Sequence, residues 1–145
     1  MLKGISPCLS PELLKVLAEM GHGDEIVLAD AHFPGHSLNA RSLRADGVPM
    51  VRLLEAILPL FALDGYDDPI AMMQAVEGDV LDPAVERDYM AVVRAHEPRA
   101  PSPVRLDRFA FYDRARQAYA VVMTGETRKY GNVPVSYTHP SPRDS

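Results

Sequence analysis

The sequence has 145 residues, 47% hydrophobic and 24% charged, with a formal net charge of −5, enough for one domain that buries roughly 70% of its unfolded surface. The lack of a long basic run argues against nucleic acid or an anionic membrane as the main partner, since both require clustered Lys and Arg. Cys8 is the single cysteine, which excludes an intrachain disulfide and makes a cytoplasmic setting the expectation.

No stretch approaches the roughly 18 apolar residues of a membrane span. Met1-Leu2-Lys3-Gly4 leads to Pro7 and Pro11 rather than to an apolar core, so no signal peptide is expected. Ser10-Pro11-Glu12 is a helix start: a capping hydroxyl, a proline at the first helical position, and an acid near the positive end of the dipole. Leu13, Val16, Leu17 and Met20 follow at helical spacing, and Gly21 and Gly23 make a tight turn around His22. Glu25 to Asp30 is a short buried strand, and His32 to His36 a loop. A short strand and turn are expected near Arg44-Ala45-Asp46-Gly47. Pro49 opens a helix carrying Met50, Leu53, Leu54, Ile57, Leu58 and Phe61, with Pro59 marking its last turn.

Ile70 to Val76 is the next strand, closed by Glu77-Gly78-Asp79. Asp82-Pro83 starts a third helix with Val85, Tyr89, Val92 and Val93 on one face. Pro98, Pro101 and Pro103 mark a loop. Val104–Asp107 is expected as a strand, Arg108–Gln117 as a helix and Ala118–Thr124 as a strand. The alternation points to an α/β layered domain. Residues 134–145 depart from this pattern. Pro134-Val135-Ser136-Tyr137-Thr138-His139 resembles translated adapter DNA, so residues 1–133 are expected to form the domain, and 134–145 a non-native or disordered tail.

Several residues have the chemistry of a site. His22 can give or take a proton near neutral pH; the alternative is a loop histidine at a helix end. Asp30 follows an apolar strand, where polar groups line the crevice of α/β sheets; it also suits a plain turn. His32 and His36 lie close to Asp30 and have metal-ligand chemistry, although Pro34-Gly35 breaks the helical spacing. Arg108 presents a fork of donors that suits hydroxyls, or pairs with Asp107 or Asp113. Tyr112 suits either core or site. Tyr130-Gly131-Asn132 combines a phenol, a permissive backbone and an amide, or is simply a turn.

Taken together, Gly21-His22-Gly23-Asp24, Asp30-Ala31-His32-Phe33-Pro34, Arg44-Ala45-Asp46-Gly47, Glu77-Gly78-Asp79, Arg108-Phe109-Ala110-Phe111-Tyr112 and Tyr130-Gly131-Asn132 resemble, in order and spacing, the fucose mutarotase/ribose pyranase family. The likeness runs from Met1 to about Asn132. Arg108 stands where the ribose branch typically has histidine, which tilts the resemblance toward the fucose branch. It implies a single three-layer α/β domain, a mixed β-sheet flanked by helices of the ribose-pyranase-like type. It implies a proton donor at His22 and sugar contacts from Asp30, Arg108, Tyr130, Gly131 and Asn132. It also implies no metal or organic cofactor, and a homodecamer with sites between subunits. The final apolar strand of the family is expected to be missing or replaced here.

The activity so implied is interconversion of the α and β anomers of a free monosaccharide, L-fucose first, by acid–base ring opening. A ribose pyranase is the nearest alternative; a metal-dependent hydrolase built on Asp30, His32 and His36, or a non-catalytic sugar-binding protein, represents another class. Eight steps of extended chain between His22 and Asp30 span roughly 26 Å. Either the connection bends or a second subunit completes the site.

Overall fold

A computed structural model describes residues 2–60, 63 and 70–136. In chain order the elements are α1 (Pro11–Glu19), β1 (Glu25–Ala29), α2 (Gly35–Leu38), β2 (Ser42–Ala45), α3 (Met50–Ile57) followed by a 3-10 turn (Leu58–Leu60), β3 (Ala71–Met73), α4 (Pro83–His96), β4 (Val104–Leu106), α5 (Arg108–Gln117), β5 (Ala120–Thr124) and β6 (Val133–Ser136). The helix starts follow local chemistry. The Ser10 hydroxyl accepts from the Leu13 N–H at 3.1 Å, Asp82 from Ala84 at 2.9 Å and Asp107 from Ala110 at 2.9 Å. Each side-chain oxygen satisfies an N–H that the first helical turn leaves without a partner. Asp107 therefore ends its strand early, at Leu106, because it serves as the cap of α5.

The main sheet has the order β2-β5-β1-β6, and β3 pairs with β4. β1 and β2 are each parallel to β5, β6 is antiparallel to β1, and β3 is parallel to β4. An antiparallel bridge from Ile70 to Val135 joins the two sets. Among the described residues, five strands thus share one direction and β6 alone opposes them.

Alternation along the strands sorts the core into two layers. Ile26, Leu28, Val122, Val133 and Val135 pack with Leu53, Leu54, Tyr89 and Val93 from α3 and α4. Val27, Ala29, Val121 and Met123 pack with Phe33, Phe111 and Ala115 on the other face. The result is the three-layer α/β domain with a mixed sheet that was expected. Among the described residues no helix is long and apolar enough to cross a membrane.

Further expectations change: the strand expected over Ile70 to Val76 spans only Ala71–Met73. The segment after Phe33 is not all loop: α2 forms there without a side-chain cap, held by packing, since Gly35 lies so close to β5 that a Cβ would sit 2.6 Å from the Met123 sulfur. Pro59 falls in the 3-10 turn rather than in the last turn of an α-helix, while Phe61 lies outside the described residues. The domain also does not stop at residue 133. Pro134, Val135 and Ser136 complete β6, fully buried along its length, so the final strand is present. Val133 and Val135 supply the apolar face, and Pro134 falls between them, lacking only a ladder N–H. Residues 137–145 lie outside the described residues.

Close approach of β5 to the turn after β2 gives a stability test. A Cβ at Gly125 would lie 2.9 Å from two backbone atoms of Gly47, whose own φ is +77°. Gly125→Ala is expected to lower unfolding free energy by about 1–3 kcal/mol through overpacking, read as a lower urea midpoint at unchanged slope. A parental midpoint would mean that the Gly47 turn moves aside freely.

Candidate functional site

Because five strands run together, their carboxyl ends share one edge of the sheet, the usual place for a ligand crevice. The opposed strand β6 begins at that same edge. Asp30 after β1, Met73 at the end of β3, Arg108 past β4, and Tyr130 and Asn132 ahead of β6 consequently line one open cleft of about 310 Å³. This lies at the small end of the ligand-pocket range, about 300–1,000 Å³.

Asp30 is 6% exposed. Its N–H donates to Asn132 Oδ1 at 2.7 Å, and its Oδ1 accepts from the His32 N–H at 3.0 Å. Burial pushes its carboxyl above the ordinary value of 3.8, and the N–H groups of His32, Gly131 and Phe33, with the His32 side chain, oppose that rise. Tyr130 adopts φ +57°, the one positive φ outside glycine among the described residues. A left-handed non-glycine residue costs on the order of 1–2 kcal/mol and persists where its surroundings fix it. Here the phenol does so: its O–H donates to Asp79 Oδ2 at 2.8 Å, and its oxygen accepts from the Val76 N–H at 3.2 Å. That bond, then the Val80 N–H, hold the Asp79 carboxyl below its ordinary range.

The remaining sequence candidates divide. Arg108 lines the cleft with its guanidinium 5.2 Å from the Phe109 ring. Its suggested acidic partners are engaged elsewhere, Asp107 as a helix cap and Asp113 with Arg116. Gly131 sits behind the cleft wall, where a Cβ would meet the Tyr89 hydroxyl at 2.8 Å and Glu126 Cγ at 3.0 Å. His22 does not line the cleft; it occupies the turn before β1, whereas Asp30 follows that strand. His32 lies in the cleft, but His36 is on α2 with its charge felt at Asp46. Among the described residues no group of three or more His, Cys, Asp or Glu is placed to hold a metal ion, so the Asp30, His32, His36 trio is not assembled.

Asp79, expected to close the preceding strand and given no site role, and Lys129, of which nothing was expected, both line the cleft. The Gly78-Asp79 turn was the available signal, since a glycine at φ +85° aims the following side chain. Tyr112 also lines the cleft, edge-on to Phe33 at 5.5 Å, and gives it an apolar wall. A carboxylate, a guanidinium, a phenol and an amide around that wall suit a small, hydroxyl-rich ligand.

The RbsD / FucU transport protein family model matches residues 3–137. The chain is 64% identical over 134 residues to the L-fucose mutarotase of Glaesserella parasuis serovar 5 (strain SH0165), covering 92% of each. It is 60% identical over 134 residues to that of Histophilus somni (strain 2336), covering 92% of this chain and 93% of the relative. Its fold superposes with a TM-score of 0.89, at 42% identity, on the crystal structure of the fucose mutarotase of Streptococcus pneumoniae in complex with L-fucose, over 95% of this chain and 99% of that one.

Burial of Asp30 sets a pH test. Its folded value lies above the unfolded one, so the stability it contributes is complete below the unfolded value and is lost as pH rises through the folded value. The melting-temperature difference between Asp30→Asn and the parent should therefore move in favour of the variant from pH 4 to pH 7. A constant difference in thermal melts across that range would refute the burial argument.

Proposed function

Given that the chain belongs to the RbsD / FucU transport protein family, we propose that it is a mutarotase that interconverts the α and β anomers of L-fucose. The observation that carries this reading is the convergence of Asp30, Arg108, Tyr130 and Asn132 on one monosaccharide-sized cleft. Its proposed setting is the cytoplasm, consistent with a single free cysteine.

Anomer exchange opens the ring to the aldehyde and closes it on the other carbonyl face. Opening places one proton on the ring oxygen and removes one from the anomeric hydroxyl; closing reverses both, so protons balance without a co-reactant. General acid–base catalysis supplies about 10²–10⁴ in rate. In the proposed site His22 delivers the proton. Asp30 accepts from sugar hydroxyls, while Arg108 donates to them through its fork. The Tyr130 proton is committed to Asp79, so Tyr130 offers the sugar an acceptor. Asn132 fixes Asp30 and lines the cleft beside it.

His22 and Asp30 flank a five-residue strand whose length is about 17 Å at 3.3 Å per residue, too far for both to reach one sugar. The proposed assembly is a ring-forming homo-oligomer, a decamer by family likeness, in which the His22 turn of one copy completes the cleft of its neighbour.

Saturation-transfer NMR on α/β-fucose exchange, with ribose and galactose for comparison, tests the activity. His22→Ala is expected to lose about 100-fold or more in rate while remaining folded. Co-expressed His22→Ala and Asp30→Ala chains should regain part of the parental rate, because some mixed neighbours pair an intact His22 with an intact Asp30. No exchange of any sugar by assembled parent would reject the mutarotase reading; no recovery on mixing would reject the shared site.

A further inference from the structure

Resting on the mutarotase reading, we infer that Tyr89, with Glu126 and Arg128, forms a positioning network for the Tyr130–Asn132 segment, reaching the cleft from behind without touching the sugar. Tyr89 lies on α4 at 1% exposure, among the core residues on the face of the sheet that α3 and α4 cover. Its hydroxyl lies 3.0 Å from the Gly131 carbonyl oxygen and 3.0 Å from Glu126 Oε1. A phenol has one proton, so these two acceptors share it. Arg128 resolves the competition: its Nε donates to the same Glu126 oxygen at 2.6 Å, and its guanidinium is held in turn by Asp88 at 2.8 Å. With Glu126 satisfied by Arg128, the Tyr89 proton is available to Gly131.

Glu126 is itself anchored beside the site. Its carbonyl accepts from the Ala31 N–H at 2.7 Å, and its N–H donates to Thr124 Oγ1, whose hydroxyl donates to the Ala29 carbonyl. The residues on either side of Asp30 are thereby tied to the end of β5 and to Glu126 just beyond it. Three consecutive residues, two lining the cleft and Gly131 behind it, are then fixed from three directions. Tyr130 is held by Asp79 and Val76, Gly131 by Tyr89, and Asn132 by the backbone of Asp30. Only glycine fits between the Tyr89 hydroxyl and Glu126. The left-handed backbone at Tyr130 is the strained centre of this arrangement, and the Tyr89 hydrogen bond braces the peptide that follows it.

Tyr89→Phe tests the inference, since it deletes one oxygen and leaves the buried ring in place. The expected result with L-fucose is a KM raised about 3- to 10-fold, the loss of one hydrogen bond, with kcat changed less. Amide exchange at residues 130–132 should quicken while residues 120–124 stay protected. Glu126→Gln, which leaves the Tyr89–Gly131 hydrogen bond in place, should stay nearer the parental KM than Tyr89→Phe. A parental KM in Tyr89→Phe with an active parent would overturn the inference alone. Equal acceleration of exchange throughout the sheet would also overturn it, because the hydroxyl would then serve general stability. A parent without fucose exchange would remove the mutarotase reading and the inference with it.

Discussion

Where β1 leaves the sheet, its ladder to β6 ends at the Leu28–Val133 pair, and the N–H of Asp30 is two residues beyond it. A buried N–H without an acceptor costs on the order of 1–3 kcal/mol. Asn132 supplies that acceptor at 2.7 Å across 102 residues of sequence, its side chain continuing the ladder that the backbones abandon. The organisation of the cleft depends on this bond. It joins the end of the first strand to the start of the last, and it sets the Asp30 carboxyl facing the hollow that Arg108 and Tyr130 also line. β6 can meet β1 in this way only because it opposes the other five strands and so begins where they finish.

The cleft concentrates local costs that the core offsets. Asp30 is a carboxyl kept from water, with its acidity weakened by burial. Tyr130 carries an unfavourable φ, and Gly131 leaves no room for a side chain. Against these stand two apolar layers, one on each face of the sheet, and a full set of hydrogen bonds: among the described residues no deeply buried side-chain polar atom lacks a partner. Strain and desolvation gathered on one edge of a well-packed sheet are the usual physical mark of a site that holds its groups ready before the ligand arrives.

Elements specified by neighbouring residues were legible in the sequence. Ser10-Pro11 and Asp82-Pro83 announce their helices because capping chemistry is local, and the apolar run of β1 announces a strand because both of its faces are covered. Asp30 was legible as a polar residue following such a run. α2 was not, since four residues without a capping side chain are helical only because Gly35 packs on β5. β6 was hidden by Pro134 and by the polar residues after it; its strand character comes from Glu25–Leu28 and Ile70, far away in sequence. Tyr89 was read as one more residue on an apolar helix face, correctly for its ring. The partners of its hydroxyl lie 37 and 42 residues away, beyond any periodicity. The roles expected of His22 and Arg108 came from family likeness, because a histidine between glycines and an arginine opening a helix each have plainer uses.

One feature of the last strand bears on how the molecule withstands proteolysis. Asn132 and Val133 are consecutive, so the cleft wall and the four-residue strand β6 are one continuous piece of backbone. Peeling β6 from the sheet and dismantling the cleft are thus a single opening, one that also uncovers the buried Val133 and Val135. Any small molecule that binds only the closed form acts as a latch on that strand. At one hundred times its dissociation constant it adds about 2.7 kcal/mol against the opening, a roughly hundredfold reduction in the population a protease can cut. Occupancy of the cleft would then govern the lifetime of the chain as well as its turnover.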